Sequence, residues 1–271
     1  MKLDWITKLR AEVPAAARAV LALSSVALLM LLWFLATRGA TAEARLISPT
    51  ILGSPAEVLG SFKSLWFDRE LTRNAGASLW RVLQGFGLAA LIGVPLGIAA
   101  GTFRWIDSFI APLSTFGRNV PMSALLPLTA LWFGIEETQK VMFIFIACVA
   151  FITFDATRSI LDVQERYLET AYTLGASKWQ VVSKVLIPLA LPSIFNSLRL
   201  LFGVGFGYII LAEMVNMDRG LGMLILVSQR IGPREHVYLV LVVIALLAFA
   251  LDRVLFWTGT KLFPYKYAAD A

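Results

Sequence analysis

A single cysteine and a single histidine stand among 271 residues. The lone Cys148 lies inside an apolar run, has no partner for an intrachain disulfide, and reads as a small core side chain. The lone His236 has no metal-ligating neighbour in sequence, and at the edge of an apolar run it is expected to meet lipid headgroups. The chain contains no Gly-Lys pair, so it lacks the Gly-x-x-x-x-Gly-Lys-Ser/Thr loop that cradles nucleotide phosphates. No nucleophile–base set, metal cluster or paired-carboxylate constellation is evident, which argues against an enzyme. Charge is also scarce: 15% of residues are charged, against about a quarter in a soluble domain.

What the chain has instead is apolar length. Hydrophobic residues make up 58% of it, with mean hydropathy +0.75. Runs near ~20 residues recur, each long enough to cross a bilayer as a helix. They do not alternate polar and apolar as the strands of an outer-membrane barrel would. The fold class is therefore all-α and membrane-embedded. Six spans are predicted: Ala16–Ala36, Leu79–Gly101, Ile106–Phe133 (interrupted by Arg118-Asn119 and Pro121), Val141–Thr157, Val185–Ala212 and Val237–Trp257. The first run, after Lys2, Lys8, Arg10 and Arg18, is long for a signal peptide. Ala36-Thr37-Arg38 is also a poor cleavage site, so a retained helix is expected. A net charge of +6 would suit nucleic acid in a soluble protein. Here Lys and Arg cluster at segment ends, where membrane lipids take them, and a nucleic-acid partner is not expected. The basic N-terminus favours a cytoplasmic start, and an even number of spans returns the C-terminus to the same side.

Between Arg38 and Arg81, Ser54-Pro55-Ala56-Glu57 supplies an N-cap, a first-turn proline and a capping-box Glu. Val58, Phe62, Leu65 and Trp66 follow at helical spacing, which predicts a short amphipathic helix at the outer surface. Gly93, Gly97 and Gly101 form a GxxxGxxxG run that lets two helices approach backbone to backbone. Tight intrachain packing, a dimer seam and a pathway lining all remain open for it. Gly203, Gly205 and Gly207 spread around a helix that Pro188 and Pro192 should kink.

Residues 162–188 are polar between two apolar runs. Asp162 with Glu165 reads as a capping pair, Gly175 suits a left-handed helix end, and Ser177 with Gln180 starts a second helix at once. Two helices joined by a sharp bend should project from the membrane. They carry small Ala171, charged Glu169 and Lys178, and Trp179 as an anchor for a partner. A plain solvated loop is the alternative.

This stretch resembles the cytoplasmic coupling loop of bacterial ABC importer permeases, whose pattern is Glu-Ala-Ala, three residues, Gly, nine residues, Ile-x-Leu-Pro. Glu169, Ala171 and Gly175 fall in register, followed by Val185-Leu186-Ile187-Pro188, with Thr170, Val185 and Ile187 as mild departures. Ser78-Leu79-x-Arg81-Val82-Leu83-x-Gly85-Phe86, Gly93-Val94-Pro95-Leu96-Gly97, Pro127-Leu128-x-x-Leu131-Trp132-Phe133-Gly134-Ile135, Ala212-Glu213 and Gly220-Leu221-Gly222 extend the likeness over nearly the whole chain. Together they resemble the nitrate/sulfonate/taurine/bicarbonate subgroup.

The resemblance implies a six-helix, type I (MetI-like) permease fold in the bacterial inner membrane. Residues 1–78 would hold the tail, first helix and external helix, residues 79–262 the permease core with its coupling loop at 159–184, and 263–271 the tail. It further implies a homodimer of permeases, two ABC ATPase subunits that bind ATP and Mg on their own chains, and a periplasmic or lipid-anchored solute-binding protein. No cofactor is expected on this chain. The substrate implied is a small oxyanion or organosulfonate, with a pyrimidine, a riboflavin-like or an aromatic compound as alternatives within the family. An ion-gradient-driven secondary transporter is the distant alternative. It would need an internal repeat or a midplane relay of Asp, Glu or His, and neither is evident.

Polar residues at bilayer depth each need a reason. Arg118-Asn119 beside Pro121 is a candidate anion contact on the pathway, unless Arg118 marks a membrane boundary. Glu213 and Asn216, ending the fifth span, suit gating or helix-end packing better than ligation, and Tyr208 joins them as a pathway candidate. Asp155 and Arg158 are expected to pair, and Asp252 and Arg253 to reach the inner headgroup layer. Arg199 is left between snorkelling, pairing and cavity lining.

Overall fold

The computed structural model describes residues 9, 11, 13–39, 41–215 and 218–267. The chain runs through α1 (Ala15–Thr37), a 3-10 turn (Ala42–Ala44), α2 (Pro55–Gly60), α3 (Phe62–Phe67), α4 (Leu71–Thr102), α5 (Arg104–Asn119) and α6 (Met122–Phe133). It continues through α7 (Glu137–Leu161), α8 (Glu165–Thr173), α9 (Lys178–Val181), a π turn (Val182–Leu186), α10 (Ile187–Glu213), α11 (Leu221–Arg230), α12 (Glu235–Leu262) and α13 (Pro264–Tyr267). Among the described residues, five stretches are long and apolar enough to cross a membrane: α1, α4, α7, the continuous Lys178–Glu213 rod and α12.

The third predicted span is two helices. α5 and α6 have 16 and 12 residues, about 24 and 18 Å at 1.5 Å per residue, each short of the ~30 Å hydrocarbon core. Pro121 is the cause: it biases the preceding Val120 to extended backbone (φ −71°, ψ 128°), where the helix stops. α11 was not predicted at all. Its 10 residues are too few for a span, and Ser228-Gln229-Arg230 disguise it as a loop.

α4 and α7 form the centre of the bundle because glycine brings their backbones together. A Cβ added at Gly97 would sit 2.5 Å from the Ala156 Cβ and 2.6 Å from the Thr153 carbonyl oxygen. At Gly85, Gly93 and Gly101 the nearest atoms of α7, from Val141, Ile152 and Ile160, would be 2.5, 2.9 and 2.6 Å away. The stripe therefore packs within the chain. Phe86 meets Phe202 of α10 edge-on at 5.2 Å, and buried Ile144, Cys148, Phe206 and Ile209 complete the core. α1, by contrast, leaves its apolar side chains exposed, as suits a helix whose solvent is lipid.

The α2–α3 segment closes one end of the bundle. Its Ser54–Glu57 capping box forms: the Ser54 Oγ accepts the Glu57 N–H at 3.3 Å, and Glu57 Oε2 accepts the Ser54 N–H at 2.7 Å. Trp33 donates to the Gly53 carbonyl at 2.9 Å, and Arg234 and Tyr238 donate to the Thr50 and Ile51 carbonyls. His236 is buried beneath this segment with Nε2 2.7 Å from Ser64 Oγ, so it does not meet headgroups. Its cover comes from a helix 172 residues away in sequence.

Arg45 also grips Glu57, at 2.8 Å, and this pair with the Ser54 cap holds the Glu57 carboxyl down at about 2 against an ordinary 4.5. A depressed carboxyl contributes stability above its unfolded value and loses it as pH falls through the folded one. Protease cutting in the 45–67 segment should therefore rise as pH drops from 4.5 toward 2. Glu57→Gln should show that cutting already at neutral pH.

Two further expectations are corrected, and the choice left open for Arg199 is settled as pairing. Asp155 and Arg158 form no ion pair; the Arg158 guanidinium lies 5.6 Å over the Phe154 ring. Asp252 is paired within the chain: Arg199 holds it through Nε–Oδ1 at 2.5 Å and Nη2–Oδ2 at 2.7 Å, tying α10 to α12. Asp162 caps no helix start. It follows the last turn of α7, and Gln164 precedes α8 without a side-chain cap.

Candidate functional site

The α8–α9 hairpin projects from the end of the bundle opposite α2–α3. Its bend is a Schellman closure: the Gly175 N–H bonds the Tyr172 carbonyl at 2.9 Å, and the Ala176 N–H bonds the Ala171 carbonyl at 3.0 Å. That closure needs the left-handed conformation, and Gly175 supplies it at φ +80° with nothing within 4 Å of an added Cβ. Ser177 restarts the helix in a full capping box, its Oγ accepting the Gln180 N–H and its N–H bonding Gln180 Oε1 at 2.8 Å. Two consecutive caps leave the two arms little freedom relative to one another.

No residue of α8 is buried. Tyr167 and Tyr172 are exposed, Leu174 is 82% exposed and Trp179 72%. Glu169 and Lys178 are exposed beside them, and Ala171 lies on α8 in the same arm. Past Pro188 the second arm runs straight into the membrane-crossing rod. A proline in a helix removes one N–H and pushes on the carbonyl four residues back. The chain answers with the π turn just before it, where the Ile187 N–H reaches the Val182 carbonyl five residues back.

At the opposite end lies a buried polar clamp. Asn74, Ser78 and Arg81 share one face of α4 at i, i+4 and i+7. They hold successive backbone groups of the turn into α11: Asn74 Oδ1 accepts the Gly220 N–H at 2.8 Å, and Ser78 Oγ accepts the Leu221 N–H at 2.9 Å. Glu213 Oε2 takes the Gly222 N–H at 2.9 Å, and Arg81 Nη1 donates to the Arg219 carbonyl at 2.7 Å. Three consecutive leading N–H groups of α11, from Gly220 to Gly222, thus have side-chain acceptors. Glu213 is fully buried; Ser78 donates to it at 2.7 Å and Arg81 Nη1 at 2.8 Å. The other edge of the Arg81 fork grips Glu137, through Nε at 2.6 Å and through Nη2. Lys140, itself buried, reaches Glu137 at 3.3 Å. At Gly220 (φ +123°) a Cβ would fall 2.2 Å from the Glu213 carboxyl carbon, so the turn closes only on glycine.

Arg118 lies in the last turn of α5, against the second half of α7. Its guanidinium carbon lies 3.4 Å from the centre of the Phe154 ring, and its Nε has no hydrogen-bond partner among the described residues. A cavity of about 200 Å³ bordered by Ser114, Phe154 and Thr157 opens beside that ring. Asn119 is exposed and turned back onto the Thr115 carbonyl at 2.9 Å. Tyr208 packs edge-on against Phe143 at 6.4 Å. Asn216 lies outside the described residues.

Sequence reasoning took Ser78 and Arg81 only as part of a resemblance and passed over Asn74, Glu137 and Lys140. The i, i+4, i+7 spacing of Asn74, Ser78 and Arg81 on one face of α4 was the available signal.

Comparison with known proteins agrees with this architecture. The chain is 33% identical over 244 residues to the taurine transport system permease protein TauC of Escherichia coli (strain K12), covering 88% of this chain and 87% of that one. It is 28% identical over 220 residues to the putative aliphatic sulfonates transport permease protein SsuC of Bacillus subtilis (strain 168), covering 81% and 80%. Its fold is similar to that in inward facing conformations of the MetNI methionine ABC transporter, with a TM-score of 0.63 at 20% identity over 74% of this chain and 98% of that one. Residues 93–262 match the family of binding-protein-dependent transport system inner membrane components, and the chain belongs to that family of non-catalytic ABC importer permeases.

Proposed function

We propose that this permease takes up mechanical work through the α8–α9 hairpin, which docks on a separate ATPase subunit in the cytoplasm. The observation that carries this is the hairpin itself. Its doubly capped bend presents Tyr172, Leu174 and Trp179 to solvent, and an exposed apolar cluster on a rigid frame suits a protein partner. The second arm continues through the π turn into the rod, which makes it the route from Trp179 to α10. On this reading both termini are cytoplasmic, and ATP and magnesium are bound and hydrolysed by the partner. Two permease copies face each other, and a solute-binding protein outside the membrane delivers substrate.

The substrate class proposed is an organosulfonate or another small oxyanion. Two relatives are named for taurine and aliphatic sulfonates. Arg118 offers a guanidinium stacked on Phe154 at the broken helix, beside the Phe154 cavity, with Asp155 as the nearby carboxylate and Asp107 also bordering the cavity. Asn119 and Tyr208 are proposed to line the same pathway, whereas Glu213, sealed in its clamp, packs a helix end.

Gly175→Val tests the docking role. A side chain at φ +80° costs ~1–3 kcal/mol in backbone strain, roughly tenfold or more in the population of correctly bent hairpin. Membrane insertion should be unchanged, while substrate uptake per ATP hydrolysed falls about as far. Wild-type coupling in that variant, or labelling of Trp179→Cys from outside intact cells, would remove the hairpin from the mechanism.

A further inference from the structure

Two prolines open the hydrogen-bond ladder at the foot of the rod. In an α-helix the carbonyl of residue 188 takes the N–H of residue 192, and Pro192 has none to give. The Pro188 carbonyl is thus orphaned by the sequence itself, where the hairpin arm becomes the membrane-crossing helix. Its partner comes from the other end of the chain: the Tyr265 hydroxyl, on α13, donates to the Pro188 carbonyl at 2.8 Å. Ring contacts hold the phenol in place. Phe263 lies edge-on to Tyr265 at 6.2 Å and to Phe195 of α10 at 5.7 Å. A four-residue helix has no stability of its own, so α13 is ordered by what it touches.

The stretch from the π turn to Pro192 is the least regularly bonded part of the rod, and missing ladder bonds are where helices bend. A hinge there would absorb hairpin motion instead of transmitting it. We propose that Tyr265 is a positioning residue of the coupling mechanism: its hydroxyl staples α13 across the Pro188–Pro192 hinge and stiffens the joint between hairpin and rod. The staple also joins α12, which leads into α13, to the same joint. This inference rests on the coupling-hairpin reading.

The test uses the permease–ATPase complex in liposomes and needs no knowledge of the substrate. A Gly207→Cys reporter, placed where the rod has open space beside it, is labelled with a maleimide, with and without ATP and vanadate. Tyr265→Phe keeps the ring contacts and removes the hydroxyl, and should shrink the nucleotide-dependent change in labelling rate by roughly threefold with the ATPase still bound. In a Pro192→Ala background residue 192 regains an N–H for the Pro188 carbonyl, and there Tyr265→Phe should change nothing. A full nucleotide response in Tyr265→Phe, or the same loss in both backgrounds, would overturn the staple. If instead Gly175→Val leaves the response intact, the coupling reading falls and takes this inference with it.

Discussion

Arg81→Met should all but abolish recovery of the folded protein from membranes, while Arg81→Met/Glu213→Met should recover part of it. Arg81 is 3% exposed and Glu213 fully buried. Removing the cation leaves Glu213 with only the Ser78 hydroxyl and the Gly222 N–H. Breaking one side of a buried pair costs ~3–5 kcal/mol, a large share of a typical total stability of ~5–15 kcal/mol. The same substitution frees the Arg219 carbonyl and leaves Glu137 to Lys140 alone, so the turn into α11 keeps only the Asn74 and Ser78 bonds from α4. Removing both charges withdraws the uncompensated anion, and well-packed apolar replacements of buried pairs are often tolerated. Rescue stays partial, because the Gly222 N–H then has no acceptor. Glu213→Gln should fall between: Arg81 keeps Glu137, and the amide oxygen remains an acceptor for the Gly222 N–H. Thermal unfolding of the detergent-solubilised variants, followed by size-exclusion chromatography, gives this order directly. An Arg81→Met protein as stable as wild type would show that the clamp holds nothing.

The parts legible in the sequence share one property: their physics is local. The Ser54–Glu57 and Ser177–Gln180 boxes each join residues three apart, and the Gly175 bend is set by one backbone angle. Hydropathy found the long helices for the same reason. Asp162 failed locally as well, since a capping pattern competes with the end of the previous helix, and there α7 won. Clamp residues were legible only as a polar face, because Ser78 and Arg81 meet Glu213 across 135 and 132 residues. The Arg199–Asp252 pair, 53 residues apart, and the cover over His236 are likewise products of how the helices assemble. Tyr265 illustrates the same limit. Pro192 announces an orphaned carbonyl in the sequence, but only the fold shows which hydroxyl fills it.

Gly97→Leu should separate the two central helices, and Gly87→Leu, ten residues earlier on the same helix, should not. In lipid no hydrophobic force drives helices together, so α4 and α7 associate through close contact, which glycine permits. At Gly97 an added Cβ would meet the Ala156 Cβ at 2.5 Å, the Thr153 carbonyl oxygen at 2.6 Å and the Thr157 nitrogen at 3.0 Å. Two of those three atoms are backbone and cannot turn aside, so the helices must move apart along the stripe that also includes Gly85, Gly93 and Gly101. Overpacking in a core costs ~1–3 kcal/mol when side chains can yield, and this site should exceed that range. Gly87 has nothing within 4 Å, and replacing it gains up to ~1 kcal/mol of helix propensity. The two leucine variants should therefore shift thermal stability in opposite directions. Ala156→Gly in the Gly97→Leu background deletes one of the three contacts and leaves the backbone pair, so it should return only a minor part of the loss. Full rescue by Ala156→Gly would mean that the backbones themselves can yield, and that side-chain volume rather than helix approach sets the α4–α7 distance.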